Sequence, residues 1–355
     1  MKCNALIDSF HRKKLQLNLK KSCYMIIYAK SEGDKVHLKL ISGWLPYACS
    51  TIYLGSLFSD SGLIGNDITQ HAINKSKGVN IKLANFVTNN SCAPITVKYK
   101  VCNSCVASTI LYSCETWSSS NLSRIESLYR KAIKTCTQMK SNTANDIVYA
   151  ESGLHPLACD IYKRQYKFWQ KIKNDIENNR DSPISNLYNI AIAAKLPFLK
   201  HYIDLHHTFS NENECYKFYL EKNTNDIKTR LITKARDDNG GIQGTYLSIS
   251  NNLESPKFYH SYIISERDRI ILTKYRTGSH SLNVQSGRSN RTQRNGRMCK
   301  CNVGIQDMNH VLFQCELTQI ARNHNFHYNN LCEFFSDVRN APDILRTIEH
   351  ILKLR

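Results

Sequence analysis

The sequence predicts a mainly α fold, with a small antiparallel β element at the N-terminus and a small metal-stabilised domain near the C-terminus. Three observations predict it. Apolar residues alternate in steps of two within the first sixty residues. From about Gly65 they recur at helical spacing instead. Between Cys299 and Cys315, three thiols and one imidazole fall within seventeen residues. Four regions result: 1–62 as the β region, 63–180 as a helical bundle, 181–260 as a helical connector of unassigned role, and 261–355 as a basic helix, an arginine-rich loop, the Cys/His cluster and C-terminal helices.

In chain order, 22–28 is a short apolar run before a turn at 31–34, and 36–41 alternates as a half-buried strand does. After a turn at 43–46, the stretch 51–58 carries another strand signal. A helix follows over 67–86, with Ile68, Ala72, Ile73, Val79 and Leu83 near one face. Pro94 suits a first helical turn, and a mostly apolar helix runs from it to Tyr112. Amphipathic segments recur at 122–137 and 156–176, with further helices at 184–195, 225–236, 262–276, 310–322 and 341–353. Asn- and Asp-rich stretches at 177–184 and 210–214 separate them, and 237–244 reads as a linker.

Charge decides the class of partner. Lys and Arg number 48 against 29 Asp and Glu, a net +19, which suits a polyanion such as RNA, DNA or an acidic membrane. No apolar run approaches the roughly 20 residues of a membrane helix, so a membrane partner is not expected. The fourteen cysteines are expected in a reducing compartment, because the N-terminus has no apolar signal core. The expected location is intracellular, in the nucleus, the cytoplasm or both.

Cys299, Cys301, His310 and Cys315 form a set that tetrahedral Zn²⁺ takes in structural sites. Cys299 and Cys301 flank a turn that Gly304 is expected to reverse, while His310 and Cys315 sit on the start of a helix. Just upstream, 283–296 holds almost no apolar residue and no acid, which predicts a solvated loop. Arg288, Arg291, Arg294, Arg297 and Lys300 recur every third residue through its end and just beyond it, and Arg276 precedes them. Guanidinium forks pair with phosphate oxygens, and no acid competes between Arg269 and Asp307.

Other constellations read as structure. Cys102 and Cys105 lie mid-helix without a second ligand pair, so they and Cys92 and Cys114 are expected as buried small hydrophobes. His206, His207, His324 and His327 lack supporting ligands and read as solvated or capping histidines. Tyr162, Tyr166, Phe168 and Trp169 interleave with lysines on one helix, the pattern of an amphipathic core helix with a basic outer face. Nothing resembles a nucleophile elbow or a P-loop.

Three stretches together resemble the C-terminal part of a non-LTR (LINE-type) retrotransposon reverse transcriptase. Leu17, Asn18, Lys21 and Ser22 match the segment downstream of that polymerase's catalytic hairpin, with Gln16 where the family has glycine. Tyr53, Leu54 and Gly55, then Gly62, Asp67 and Ile68, are similar to the primer grip and the start of the thumb helices, and 110–117 and 153–157 extend the likeness. The Cys299/Cys301/His310/Cys315 cluster, with Arg322, resembles the family's C-terminal zinc knuckle.

The resemblance implies a palm edge, a thumb-like bundle and a zinc knuckle that together bind RNA or DNA. It also implies that polymerisation needs residues not found here. The family's Tyr/Phe-x-Asp-Asp turn, which holds paired Mg²⁺ ions, is not among these residues, so no Mg²⁺ chemistry is expected of this chain alone. Asp237 and Asp238 are adjacent acids but stand in a helix-ending turn, out of order for that motif. No nuclease domain is expected. The alternative is a protein-interaction or structural role derived from a degenerate retroelement.

Overall fold

The computed structural model describes residues 8–26, 38–40, 43–60, 65–116, 122–179, 182–193, 197–237, 241–250, 255–260, 264–322 and 326–354. The fold is mainly helical, with its β structure confined to the N-terminal region. That β structure is two separate antiparallel hairpins. In the first, β1 (Leu38–Leu40) pairs with β2 (Gly43–Leu45), Leu38 opposite Leu45. Leu40 and Leu45 bury there with Leu17, Leu19 and Tyr24. The expected turn at 31–34 lies outside the described residues, as do Tyr28, Gly62, Trp117, Asp238 and His324.

The strand signal at 51–58 resolves into a second hairpin, β3 (Ser50–Tyr53) against β4 (Ser56–Ser59). Leu54 and Gly55 form its two-residue turn at φ +49° and +83°. Both residues are left-handed, as a type I′ turn requires to match strand twist. The turn docks on the helices: the Tyr112 hydroxyl donates to the Leu54 carbonyl, and Ser56 Oγ lies 2.9 Å from Ser113 Oγ.

Helix α1 (Gly65–Asn89) is followed by α2 (Ile95–Val101), which runs through a π-helical segment (Cys102–Ala107) into α3 (Ser108–Ile110). Then come α4 (Leu122–Thr137), α5 (Asn145–Ser152) and α6 (Ala158–Asn178). On α4 the buried residues Ile125, Tyr129, Ala132, Ile133 and Cys136 keep helical spacing and face α1 and α5. Gly153 ends α5 at φ +68°, where an added Cβ would stand 2.6 Å from Ser255 Cβ. Cys102 and Cys114 are buried as expected, whereas Cys92 and Cys105 are exposed. The π segment offers the reason for Cys105, since one extra residue per turn rotates it off the apolar face.

The connector is α7 (Pro183–Ala193), α8 (Pro197–Thr208) and α9 (Glu212–Asp237), so α8 appears where no helix was expected and α9 begins at Glu212. Its anchor is the aromatic stripe of α6. Tyr166 buries with Leu205, Phe209 and Cys215, and Trp169 buries with Tyr202. The Tyr166 hydroxyl donates to the Phe209 carbonyl at 2.9 Å, and Tyr162 stacks on Tyr219 at 4.0 Å. The amphipathic reading of α6 therefore holds.

Helices α10 (Ile242–Ile249), α11 (Glu266–Arg276), α12 (Asn283–Ser289), α13 (Leu331–Ser336) and α14 (Ala341–Leu354) complete the chain. One apolar cluster runs from Ile68 on α1 through Ile133 and Tyr246 to Val311, Phe334 and Ile348. Among the described residues, no helix is long and apolar enough to cross a membrane.

Candidate metal centre and nucleic-acid interface

The first two thiols are placed by a tight reversal. Met298 bridges Ile305, Cys299 N donates to Gly304 O at 2.7 Å, and Asn302 N donates to Cys299 O at 2.9 Å. The left-handed residue of this turn is Asn302, at φ +61°, not the expected Gly304. Gly304 serves by lacking a side chain, since a Cβ there would sit 3.1 Å from His310 Nδ1.

The other two ligands come from a single π-helical turn, His310–Gln314, with Cys315 already extended. A regular α-helix would have pointed residues five apart about 140° from each other. Here Cys315 N donates to His310 O at 2.8 Å, the i→i+5 bond of a π turn, and both side chains reach one point. Asp307 Oδ1 accepts from His310 N at 2.9 Å, and Arg322 Nη2 donates to Cys315 O at 2.6 Å. These bonds clamp the turn from both ends.

The four ligand atoms of Cys299, Cys301, His310 and Cys315 all lie within 4.8 Å of one another, so the cluster can hold a metal ion. Cys299 Sγ is 3.6 Å from Cys315 Sγ, and Cys301 Sγ is 3.1 Å from His310 Nε2. A tetrahedral ion with metal–sulfur bonds of about 2.3 Å separates its thiolates by about 3.8 Å. The sulfur–sulfur spacing fits that, and it is far beyond the roughly 2.05 Å of a disulfide. Burial pushes the Cys299 thiol up to about 11. Burial also raises Cys301, but the Val303 and Gly304 amides and the Cys299 and Cys315 thiols outweigh it and hold this sulfur below the usual range. A thiolate is the form that binds a metal.

The predicted solvated loop is partly folded. Residues 283–289 are the helix α12, because Gly287 packs against the Arg297 side chain, whose Cγ would lie 2.6 Å from a Cβ at 287. Arg297 donates through Nε and Nη2 to Thr292 O at 2.9 and 2.7 Å, so its fork braces the loop. Lys300 is exposed but its Nζ lies 3.2 Å from Leu352 O at the end of α14. Arg288 is half-buried, while Arg291 and Arg294 are exposed. Arg291 stands at φ +55° just past α12, and Thr292 N closes the turn onto Gly287 O at 2.7 Å. Glycine is the usual residue at that position.

Arg276 does not belong to this surface. It is 6% exposed and paired with Glu151, so its guanidinium is spent inside the fold. Tyr53 and Leu54 project from the β3–β4 turn, 64% and 74% exposed, while a Cβ added to Gly55 would stand 3.2 Å from the Tyr112 ring. Sequence reasoning passed over a second basic cleft, about 570 Å³, between α4 and α9. The available signal was a basic pair at i, i+4 on each helix: Arg130 with Lys134, and Arg230 with Lys234. No protein-family model, no curated protein and no solved structure matches this chain.

Proposed function

We propose that the Cys299/Cys301/His310/Cys315 cluster holds a structural zinc ion, and that the module it fixes binds the phosphate backbone of RNA or DNA as the C-terminal part of a LINE-type reverse transcriptase. One observation carries this reading: four zinc-type ligand atoms converge within 4.8 Å directly after a segment that holds Arg291 and Arg294 in solvent. The left-handed backbone at Arg291 adds support, because a strained position is kept for a cation where glycine would be easier. Zinc would supply rigidity here, since three thiolates and an imidazole leave no open position for catalysis. Polymerisation is no part of the reading. Asp237 is the last residue of α9, far along the chain from the primer-grip-like hairpin.

The test is zinc content together with RNA and duplex DNA binding across a salt series. One zinc per chain is expected, lost in Cys301→Ser, with affinity falling steeply as salt rises. Arg291→Gln with Arg294→Gln should flatten that salt dependence by about 0.7–0.9 per lost contact. Zinc retained in Cys301→Ser, or binding indifferent to salt, would sink the reading. A protein-interaction role is the second reading, favoured by Val303 and Ile320, which stand 70% and 81% exposed on the same module. Capture of a partner protein that survives high salt and the arginine changes would support it.

A further inference from the structure

Helices α4 and α9 each turn a basic pair, Arg130 with Lys134 and Arg230 with Lys234, onto one cleft floored by the first turn of α5. Arg230 and Lys234 share a single acid, Asp146, at 2.8 and 3.1 Å. Lys134 Nζ donates to the Ser141 and Thr143 carbonyls, each at 2.7 Å, which fixes the polar loop ahead of α5. Arg130 is only partly engaged, its guanidinium interacting with the Tyr149 hydroxyl and the Glu126 carboxylate. Its Nε is buried without a hydrogen-bond partner, and its guanidinium lies 5.9 Å from the Tyr149 ring centre. Burial and the charge of Arg130 together lower the Lys134 pKa, as crowded cations should.

The cleft continues past Arg130, Tyr149 and Arg230 into a second cavity of about 310 Å³. Its wall includes the stacked pair Tyr162 and Tyr219, whose rings lie 18° from parallel. Lys222 adds a fifth cation, and Glu126 adds a second acid, already engaged by the Tyr149 hydroxyl and the Ala158 amide. At the other end Asn142 lines the cleft and donates to Ser289 Oγ at 3.0 Å, where α12 hands over to the arginine-rich segment.

We infer that this cleft is a second backbone site for single-stranded nucleic acid, with Arg130 and Arg230 on phosphodiester oxygens and a base stacked beside Tyr162 and Tyr219. The inference rests on the nucleic-acid reading above and extends it to α4, α9 and the connector. Cations at one end and stacked aromatic rings at the other are the two surfaces that a strand needs. The Asn142–Ser289 bond joins the cleft to the end of α12, from which the chain leads into Arg291 and Arg294. A strand therefore fits better than a free nucleotide or phosphate ion.

The experiment compares binding of a short mixed-sequence RNA oligonucleotide by the full chain and its Arg130→Gln, Arg230→Gln and Asp146→Asn variants over a salt series. Each arginine change should weaken binding about three- to tenfold and lower the salt slope by about 0.7. Arg230 is half exposed, so its variant folds even where Arg130→Gln fails. Asp146→Asn should act oppositely, tightening binding severalfold by releasing Arg230 and Lys234. Unchanged affinity and slope in all three, while the unaltered chain binds, overturns the cleft and leaves the arginine-loop reading standing. Failure of the unaltered chain to bind at all overturns both. Replacing chloride by inorganic phosphate at equal ionic strength is the remaining arm. If phosphate abolishes the Arg230 dependence, the cleft is a small-anion site and the inference is wrong.

Discussion

Arg276 grips Glu151 across the centre of the fold, Nε to Oε1 at 2.9 Å and Nη2 to Oε2 at 3.1 Å, although the two stand 125 positions apart in the chain. Neither side chain meets solvent appreciably, at 6% and 0% exposure. Tyr246 donates a further bond to Glu151 at 3.1 Å. The end of α11 is thereby fastened to the end of α5, which carries the C-terminal elements against the bundle.

Breaking this pair from one side leaves a buried charge without its counterion. Arg276→Met is expected to destabilise the chain by about 3–5 kcal/mol, measured by urea unfolding. The double change Arg276→Met with Glu151→Leu should lose less than the single one, because no orphan charge remains. An equal or larger loss in the double variant would refute the account.

A Cβ on Gly304 would stand 3.1 Å from Nδ1 of the His310 imidazole, so the ring would have to give way by a few tenths of an ångström. Gly304→Ala should push His310 off its position and weaken metal affinity about 10–100-fold, read by competition with a chromogenic chelator. Affinity equal to the unaltered chain in both Gly304→Ala and His310→Ala would mean that His310 is not a ligand.

The β3–β4 turn contains one suitable residue and one unsuitable one. Gly55→Ala should destabilise by more than about 1 kcal/mol, because φ is positive and the Tyr112 ring would have to give way. Leu54→Asn should stabilise by about 0.5 kcal/mol, since asparagine tolerates the left-handed first position. Thermal unfolding separates the two by opposite shifts. If Leu54→Asn also weakens nucleic-acid binding, the exposed leucine is kept for contact.

His280 is buried beside Tyr275, with Lys140 and Arg288 nearby, and these surroundings push its pKa down to about 3. The folded value lies below the unfolded one of about 6.5, so the unfolded chain binds the proton first. The stability that neutral His280 contributes is full above about pH 6.5 and drains as pH falls toward 3, by up to about 1.4 kcal/mol per pH unit. Urea midpoints between pH 7 and pH 4 should show that slope, and His280→Phe should flatten it.

Local pattern revealed much of this fold. The amphipathic pattern over 122–137 predicted α4, whose buried face is Ile125, Tyr129, Ala132 and Ile133, and the four metal-type ligands were visible as residue types. What stayed hidden was non-local or stereochemical. Nothing near Arg276 discloses a partner at Glu151, and a basic helix end reads as solvent-facing until that partner is placed. Polar composition concealed α12, because its packing uses the aliphatic stem of Arg297 against a glycine. The π turn that brings His310 and Cys315 together has no residue signature, only a hydrogen bond one residue longer than usual.

Ile68 and Ile348 belong to the same apolar interior, and Val311, between two of the metal-type ligands, lies inside it as well. Dissection should therefore fail. A fragment cut before α11 would bare Leu272, Tyr275 and Phe334 to water, and the remaining bundle would lose the surfaces they cover. Proteases should find the elements that share this interior either resistant together or vulnerable together. An ion bound at the candidate centre, though at the periphery of the sequence, would then bear on the survival of this whole shared interior.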